Sequence, residues 1–256
     1  MRPALIWSFA RQELVDRYAG SMLGFVWAFV QPMVMMFIFV VIFGQLMGGR
    51  LPGVDTAYGY AIYLVAGMLP WIAFSNTLAR TATVFVDKKN VLSKVGLSLT
   101  MLPLFIVVAE TATFAIGVLL FGGLLALAGH APSADVLALP WIFLVQQMLA
   151  LGIGMILGVL NVFLRDVREF VNVLIQLWFW ATPIVWAPQI MSPARFEQLK
   201  RFNPMANVAT AYQGAVLGNA RPDYDSLALV AVAAACTLAA GYVFVRRMEK
   251  DMRDVI

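Results

Sequence analysis

Apolar residues run along this chain in six long blocks, and most of the charged residues gather in the short stretches between them. The blocks cover 22–47, 60–85, 101–127, 141–164, 170–186 and 227–245. A hydrocarbon core about 30 Å thick takes about 20 apolar helical residues to cross, and most of the blocks reach that length. Inside hydrocarbon a spanning segment must satisfy its own backbone, so each block is expected to be a helix. A membrane barrel would instead show alternating segments of about 10 residues. The pattern predicts an all-α membrane protein of one domain, 1–256, with six transmembrane helices. The fifth block is short and meets Pro183, so it is expected to be partly re-entrant or to continue irregularly outward.

The segments between the blocks carry their own signals. In 1–21, Arg11, Glu13, Asp16 and Arg17 interrupt any apolar core, unlike a cleaved signal peptide. Trp7, Ala10, Leu14 and Tyr18 share a helical stripe, with Leu5 and Phe9 opposite, which predicts an amphipathic helix lying in the membrane surface. Arg11, Arg17 and Tyr18 are its interface residues. The stretch 187–226 is too long and mixed for a simple loop, with Pro188, Pro193, Pro204 and Pro222 set among Arg195, Glu197, Lys200 and Arg201. Short helices over 196–202 and 205–217 are expected there, either dipping back as an outer re-entrant hairpin and gate or lying on the surface. Two connections form compact charged turns: 87–98, with Asp87, Lys88, Lys89, Asn90 and Lys94, and 163–169, with Arg165, Asp166, Arg168 and Glu169. They are either stop-transfer charges or short helices that receive force from a soluble partner.

Charge sets the orientation. With the N-terminus inside, all but Arg50, Arg195, Lys200, Arg201 and Arg221 of the 18 Lys and Arg fall on the inner side, which predicts two cytoplasmic termini. The net charge of +4 then serves topology and anionic lipid, and gives no reason to invoke nucleic acid. With 62% hydrophobic and 12% charged residues, the composition excludes an ordinary soluble domain.

Enzyme chemistry finds little to work with. The single Cys236 and single His130 cannot build a disulfide or an ordinary zinc site, and no metal site is expected. No glycine-rich loop ending in Gly-Lys-Ser/Thr is present, and the inner segments are too short to fold a nucleotide-binding domain. No cofactor is expected in the chain, so uphill transport would draw on another chain or on an ion gradient. Two ionisable residues sit inside blocks, Arg80 and Glu110, each more than a helical turn from the inner end of its block. Such groups cost several kcal/mol unless paired or hydrated, and a structural pair between the two blocks is expected. Aromatic residues crowd the first and fifth blocks: Trp27, Phe29 and Phe37, then Trp178, Phe179, Trp180 and Trp186. Trp27 and Trp186 fit interfacial anchoring. Phe37, Trp178 and Trp180 are candidates to line a channel for sugar rings. Two residues apart on a helix point about 200° apart, so one of Trp178 and Trp180 should line and the other pack.

Ordered motifs along nearly the whole chain resemble ABC-2 type permeases of the polysaccharide exporter family. Arg17-Tyr18, Ser21, Leu23-Gly24, Trp27 and Pro32 are similar to the family's entry to the first span. Gly67, Leu69-Pro70-Trp71, Phe74-Ser75, Asn90, Leu92, Lys94 and Pro103 are similar to its second span and first coupling helix. Asn161, Arg165-Asp166-Val167, Gln176-Leu177-Trp178-Phe179, Thr182-Pro183-Ile184 and Asn203-Pro204 resemble its later spans and outer segment. Gly96-Leu97 stands where members often place Phe-Pro. The resemblance implies a homodimer in the bacterial cytoplasmic (inner) membrane, with cytoplasmic coupling helices contacted by two copies of a cytoplasmic ABC ATPase that binds ATP and magnesium. It implies a lipid-diphosphate-linked polysaccharide load, O antigen foremost, with capsule and teichoic acid as alternatives. The competing readings are an ABC-2 permease for small lipophilic molecules and a proton-coupled secondary transporter using Glu110.

Overall fold

The structure is a computed structural model, described for residues 3–18, 21–22, 24–38, 41, 58–89, 98–130 and 133–255. Among these every regular element is helical: α1 (Pro3–Tyr18), α2 (Trp27–Ile38), α3 (Gly59–Asp87), α4 (Leu104–Leu127), α5 (Leu139–Phe163), α6 (Val167–Ala181), α7 (Pro193–Phe202), α8 (Pro204–Leu217) and α9 (Tyr224–Val255), with short 3₁₀ turns before α2, α5 and α7. Four helices are long and apolar enough to cross a membrane: α3, α4, α5 with its preceding turn, and α9. The first block is represented by the 12 residues of α2, and its remainder falls largely outside the described residues.

Helix α3 occupies the centre and packs against α4, α5, α6 and α8. Its buried polar side chains face protein rather than lipid, and among the described residues Thr81 Oγ1 is enclosed without a hydrogen-bond partner. Thr77 Oγ1 donates to Gln147 Oε1 at 2.7 Å, and Gln146 Nε2 donates to the Pro70 carbonyl at 3.1 Å. Helices α5 and α9 approach closely where both carry glycine, Gly152 and Gly241. Small residues at such a crossing let backbones touch, which is how membrane helices gain contact without a hydrophobic driving force between them.

Local chemistry explains several ends. Leu164 turns extended (φ −130°, ψ 99°) and stops α5, and Glu169 in the first turn of α6 suits the positive end of the helix dipole. Thr182 precedes Pro183, a position pushed out of the helical region, and is extended at φ −102°, ψ 136°, so α6 ends at Ala181. Asn203 caps α8 by accepting from the Met205 and Ala206 amides at 3.1 and 3.3 Å, Pro204 occupies the first turn, and Gly218 closes the helix at φ +69°.

Two elements differ from expectation. Helix α9 continues past 245 to Val255, so Arg246, Arg247, Lys250 and Arg253 extend the helix rather than follow it. On α1 the face applied to the protein is Ile6, Phe9 and Ala10, packed against α4 with the Phe9 and Phe105 rings 6.0 Å apart, while Trp7 is 66% exposed. Apolar residues occur around most of α1, so the stripe read from Trp7 and Ala10 competes with an equally good one. Packing against the Phe105 cluster of α4 decides between them. The side chains of Leu14, Arg17 and Tyr18 lie outside the described residues, and Arg11 is exposed.

Candidate functional site

Arg80 and Glu110 meet inside the helical bundle. Arg80 Nη1 donates to Glu110 Oε1 at 2.6 Å, and Asn76 Nδ2 donates to Glu110 Oε2 at 3.2 Å. Glu110 is buried (1% exposed), so its charge is tolerable only with partners of this kind. A second carboxylate, Glu13 of α1, also contacts Arg80, through Nη2, and accepts from Lys88 Nζ at 3.0 Å. The ions therefore alternate in sign from Lys88 at the end of α3 to Glu110 in α4. Beside Asn76 and Glu110 lies a cavity of about 160 Å³, closed on one side by Ala28 and Pro32 of α2. Sequence reasoning missed Glu13, which it read only as a break in an apolar stretch.

A second constellation holds the end of α6. Beyond Ala181 the helix leaves carbonyls without helical partners, and side chains from two other elements supply the donors. Tyr63 Oη lies 3.0 Å from the Pro183 carbonyl and 2.9 Å from that of Trp186, Tyr60 Oη reaches Val185, and Gln213 Nε2 donates to Pro183 at 2.9 Å. Asn203 Nδ2 donates to the Ala181 carbonyl at 3.0 Å, and its Oδ1 accepts from Trp178 Nε1 at 2.8 Å. The Trp178 indole packs edge-on against Phe74 at 5.1 Å and against Trp71 at 6.5 Å. A Cβ added at Gly67 would lie 2.6 Å from Gln213 Nε2. Gly67, Trp71, Phe74, Trp178, Thr182, Pro183 and Asn203, scattered over the sequence, thus converge on one clamp. Removing Asn203 strips it of a helix cap and of three further bonds, to Trp178, Ala181 and Thr182. Asn203→Ala should therefore lose about 2–4 kcal/mol, read as a lowered melting temperature of the detergent-solubilised protein.

The two tryptophans divide. Trp178 is taken by packing, while Trp180 is 59% exposed, on a face of α6 shared with Phe170, Val173 and Leu177. Next to that face runs a polar stripe, Asn172 and Gln176, also exposed. Phe37 is 66% exposed on α2, where Phe29 and Met33 are exposed to a lesser degree.

The charged turns lie at the helix ends. Arg165, Asp166, Arg168 and Glu169 are all exposed where α5 passes into α6. Of the first segment, Asp87 and Lys89 are exposed and Lys88 is held by Glu13, whereas Asn90 and Lys94 lie outside the described residues. Far along the chain, Lys200 of α7 bridges Glu197 and Asp223 at 3.0 and 3.2 Å. The Ser226 hydroxyl and amide hold Asp223 below the usual carboxylate range, with Lys200 adding to the effect. Partial burial pulls Lys200 down, but its bonds to Glu197 and Asp223 outweigh this and leave it raised.

Comparison with known families places this arrangement. The model of the ABC-2 type transporter matches residues 4–217, which covers both the ion chain and the clamp. The chain belongs to the ABC-2 type transporter family. Among its relatives is the O-antigen export system permease protein RfbA of Myxococcus xanthus, 32% identical over 253 residues, covering 98% of this chain and 95% of that protein. A protein of the same name from Klebsiella pneumoniae is 27% identical over 86% of this chain and 82% of its own length. The polysialic acid transport protein KpsM of Escherichia coli is 22% identical over 94% of this chain and 92% of its own length. The convergence of the motif residues on the α6 clamp gives this ABC-2 transporter chain a physical reason for carrying them: Pro183 breaks the helix, and the others supply a hydrogen bond, a ring or the missing Cβ around the break.

Proposed function

We propose that the chain is the membrane subunit of an ABC exporter that moves lipid-diphosphate-linked polysaccharide, most readily O antigen, across the bacterial cytoplasmic membrane. The observation that carries this reading is the near full-length similarity to a permease named for O-antigen export. Two copies of the chain surround the path, and two copies of a separate cytoplasmic ATPase bind ATP and magnesium and drive it. Six spans result when α2 and α6 cross with the residues that extend them. Both termini are cytoplasmic, in keeping with the four basic residues at the end of α9. The α7–α8 pair forms the outer re-entrant hairpin.

The faces left open on the single chain support this arrangement. Asn172 and Gln176 are costly against lipid but suit a hydrated path or a second subunit, and Trp180 stands beside them. Trp180 and Phe37 supply flat apolar surface on which sugar rings slide. Asp87, Lys88, Lys89, Asn90 and Lys94, with Arg165, Asp166, Arg168 and Glu169, form the surface that receives force from the ATPase, and Arg11, Arg17 and Tyr18 place α1 at the membrane surface. A capsule-type glycan is the second reading, favoured by the likeness to KpsM.

The test is complementation. In a host lacking its own O-antigen permease, the chain with its ATPase should restore surface polysaccharide. Asp166→Lys or Lys94→Glu should insert normally and leave ATP hydrolysis running, yet lower export by about fivefold or more. Normal export by both variants would reduce these turns to topological anchors. Export that survives loss of the ATPase and stops when the proton gradient collapses would replace the exporter by a secondary transporter using Glu110.

A further inference from the structure

The ion chain joins three helices in a particular order. Ile6, Phe9 and Ala10 seat α1 on α4, and Glu13, one turn beyond, falls on the same face. Its two carboxylate oxygens are divided: Oε1 goes to Arg80 and Oε2 to Lys88 at 3.0 Å. Those cations are eight residues apart on α3, about 12 Å along the helix axis. Arg80 goes on to the buried Glu110 at 2.6 Å. Lys88 caps the end of α3 and stands over the Phe105 ring at 5.7 Å, the ring that also packs on Phe9. The base of the 87–98 segment is therefore held from both sides, by a carboxylate of α1 and by a ring of α4.

We propose that Glu13 is the positioning residue through which a displacement at the base of the first coupling segment reaches the intramembrane pair. Lys88 alone would end in a freely turning ammonium at the membrane surface. With Glu13 between them, Lys88 and Arg80 keep their spacing, and a push on the segment carries α1, α3 and α4 together rather than fraying the end of α3. Glu13 faces both cations and Arg80 faces both carboxylates, so each of the four has a counter-charge in a poorly hydrated place. The proposal rests on the reading that the 87–98 segment receives force from the ATPase, so its test includes a variant that reports on that reading alone.

The experiment uses the chain co-expressed with its ATPase in cells lacking their own permease. Surface polysaccharide per cell is compared with ATP hydrolysed by isolated membranes. Glu13→Gln keeps the shape and removes the charge; Lys88→Gln removes the other end of the tie. Both should be present in the membrane at wild-type amounts and hydrolyse ATP, with export per ATP lowered about fivefold or more. The double variant Glu13→Gln with Lys88→Gln restores charge balance without restoring the tie, and it should be no better coupled than either single variant. Recovery of coupling in the double variant would show that unbalanced charge, not the tie, caused the defect, and would overturn the proposal. So would wild-type coupling in Glu13→Gln while Lys94→Glu is uncoupled, an outcome that leaves the docking reading standing. Wild-type coupling in Lys94→Glu as well removes both. If Glu13→Gln fails to accumulate, Glu13→Asp, which keeps the charge and shortens the tie, decides the matter on the same ratio.

Discussion

Gly152→Val should leave almost no folded protein in the membrane fraction. A Cβ at that position would lie 2.5 Å from the Leu238 amide nitrogen and 2.7 Å from the Thr237 carbonyl carbon, both backbone atoms of α9. From the other side, a Cβ at Gly241 would meet the Gly152 carbonyl oxygen at 2.7 Å. Flexible side chains can yield to an added methyl, but two helix backbones cannot do so without parting along their length. Overpacking a core costs about 1–3 kcal/mol when neighbours can shift, and here the whole α5–α9 contact would open. Gly152→Ala should already be severe, because the first carbon makes the clash. The control is Gly122→Ala on α4, where a Cβ meets nothing within 4 Å. That variant should accumulate normally and gain about 1 kcal/mol of helix propensity. Equal yields of Gly152→Val and Gly122→Ala by size-exclusion chromatography in detergent would contradict the close approach.

Replacing one member of the ion pair should be worse than replacing both. Arg80→Leu leaves Glu110 buried beside Asn76 and deprives Glu13 of a cation. Breaking a buried pair in this way costs about 3–5 kcal/mol, whereas exchanging both charges for apolar groups is often close to neutral. Arg80→Leu should therefore melt far below wild type and Glu110→Leu less so, because Glu13 still holds Arg80 in the latter. Adding Glu110→Leu to Arg80→Leu should recover much of the lost melting temperature. A double variant no more stable than Arg80→Leu would show that the two side chains contribute independently.

The long helices were legible because their signal is continuous. The block 60–85 became Gly59–Asp87, and 141–164 became Leu139–Phe163, each within two residues at either end. The end of α6 could be read from Pro183, a residue whose backbone effect is local. What the sequence concealed depends on contacts far apart in the chain. Glu13 meets Arg80 across 67 positions, and Asn203 meets Trp178 across 25. Nothing near Glu13 announces such a partner, because α1 carries apolar residues on more than one face and periodicity alone cannot choose between them. Trp178 and Trp180 were separable in principle by their angle on the helix, but which one packs was decided by Phe74, Trp71 and Asn203.

The burial of α3 also bears on how the chain is made. It is the least apolar of the four long helices, yet more of its central window is enclosed than of any other. Several of the side chains that answer its polar groups are translated after it: Glu110, Gln146 and Gln147. Glu13, by contrast, has left the ribosome before Arg80 does. A nascent chain halted just after α3 would therefore hold a helix poorly suited to stay alone in lipid, with one carboxylate already in place for its arginine. Its secure insertion belongs to a later moment, when α4 and α5 emerge and close around it.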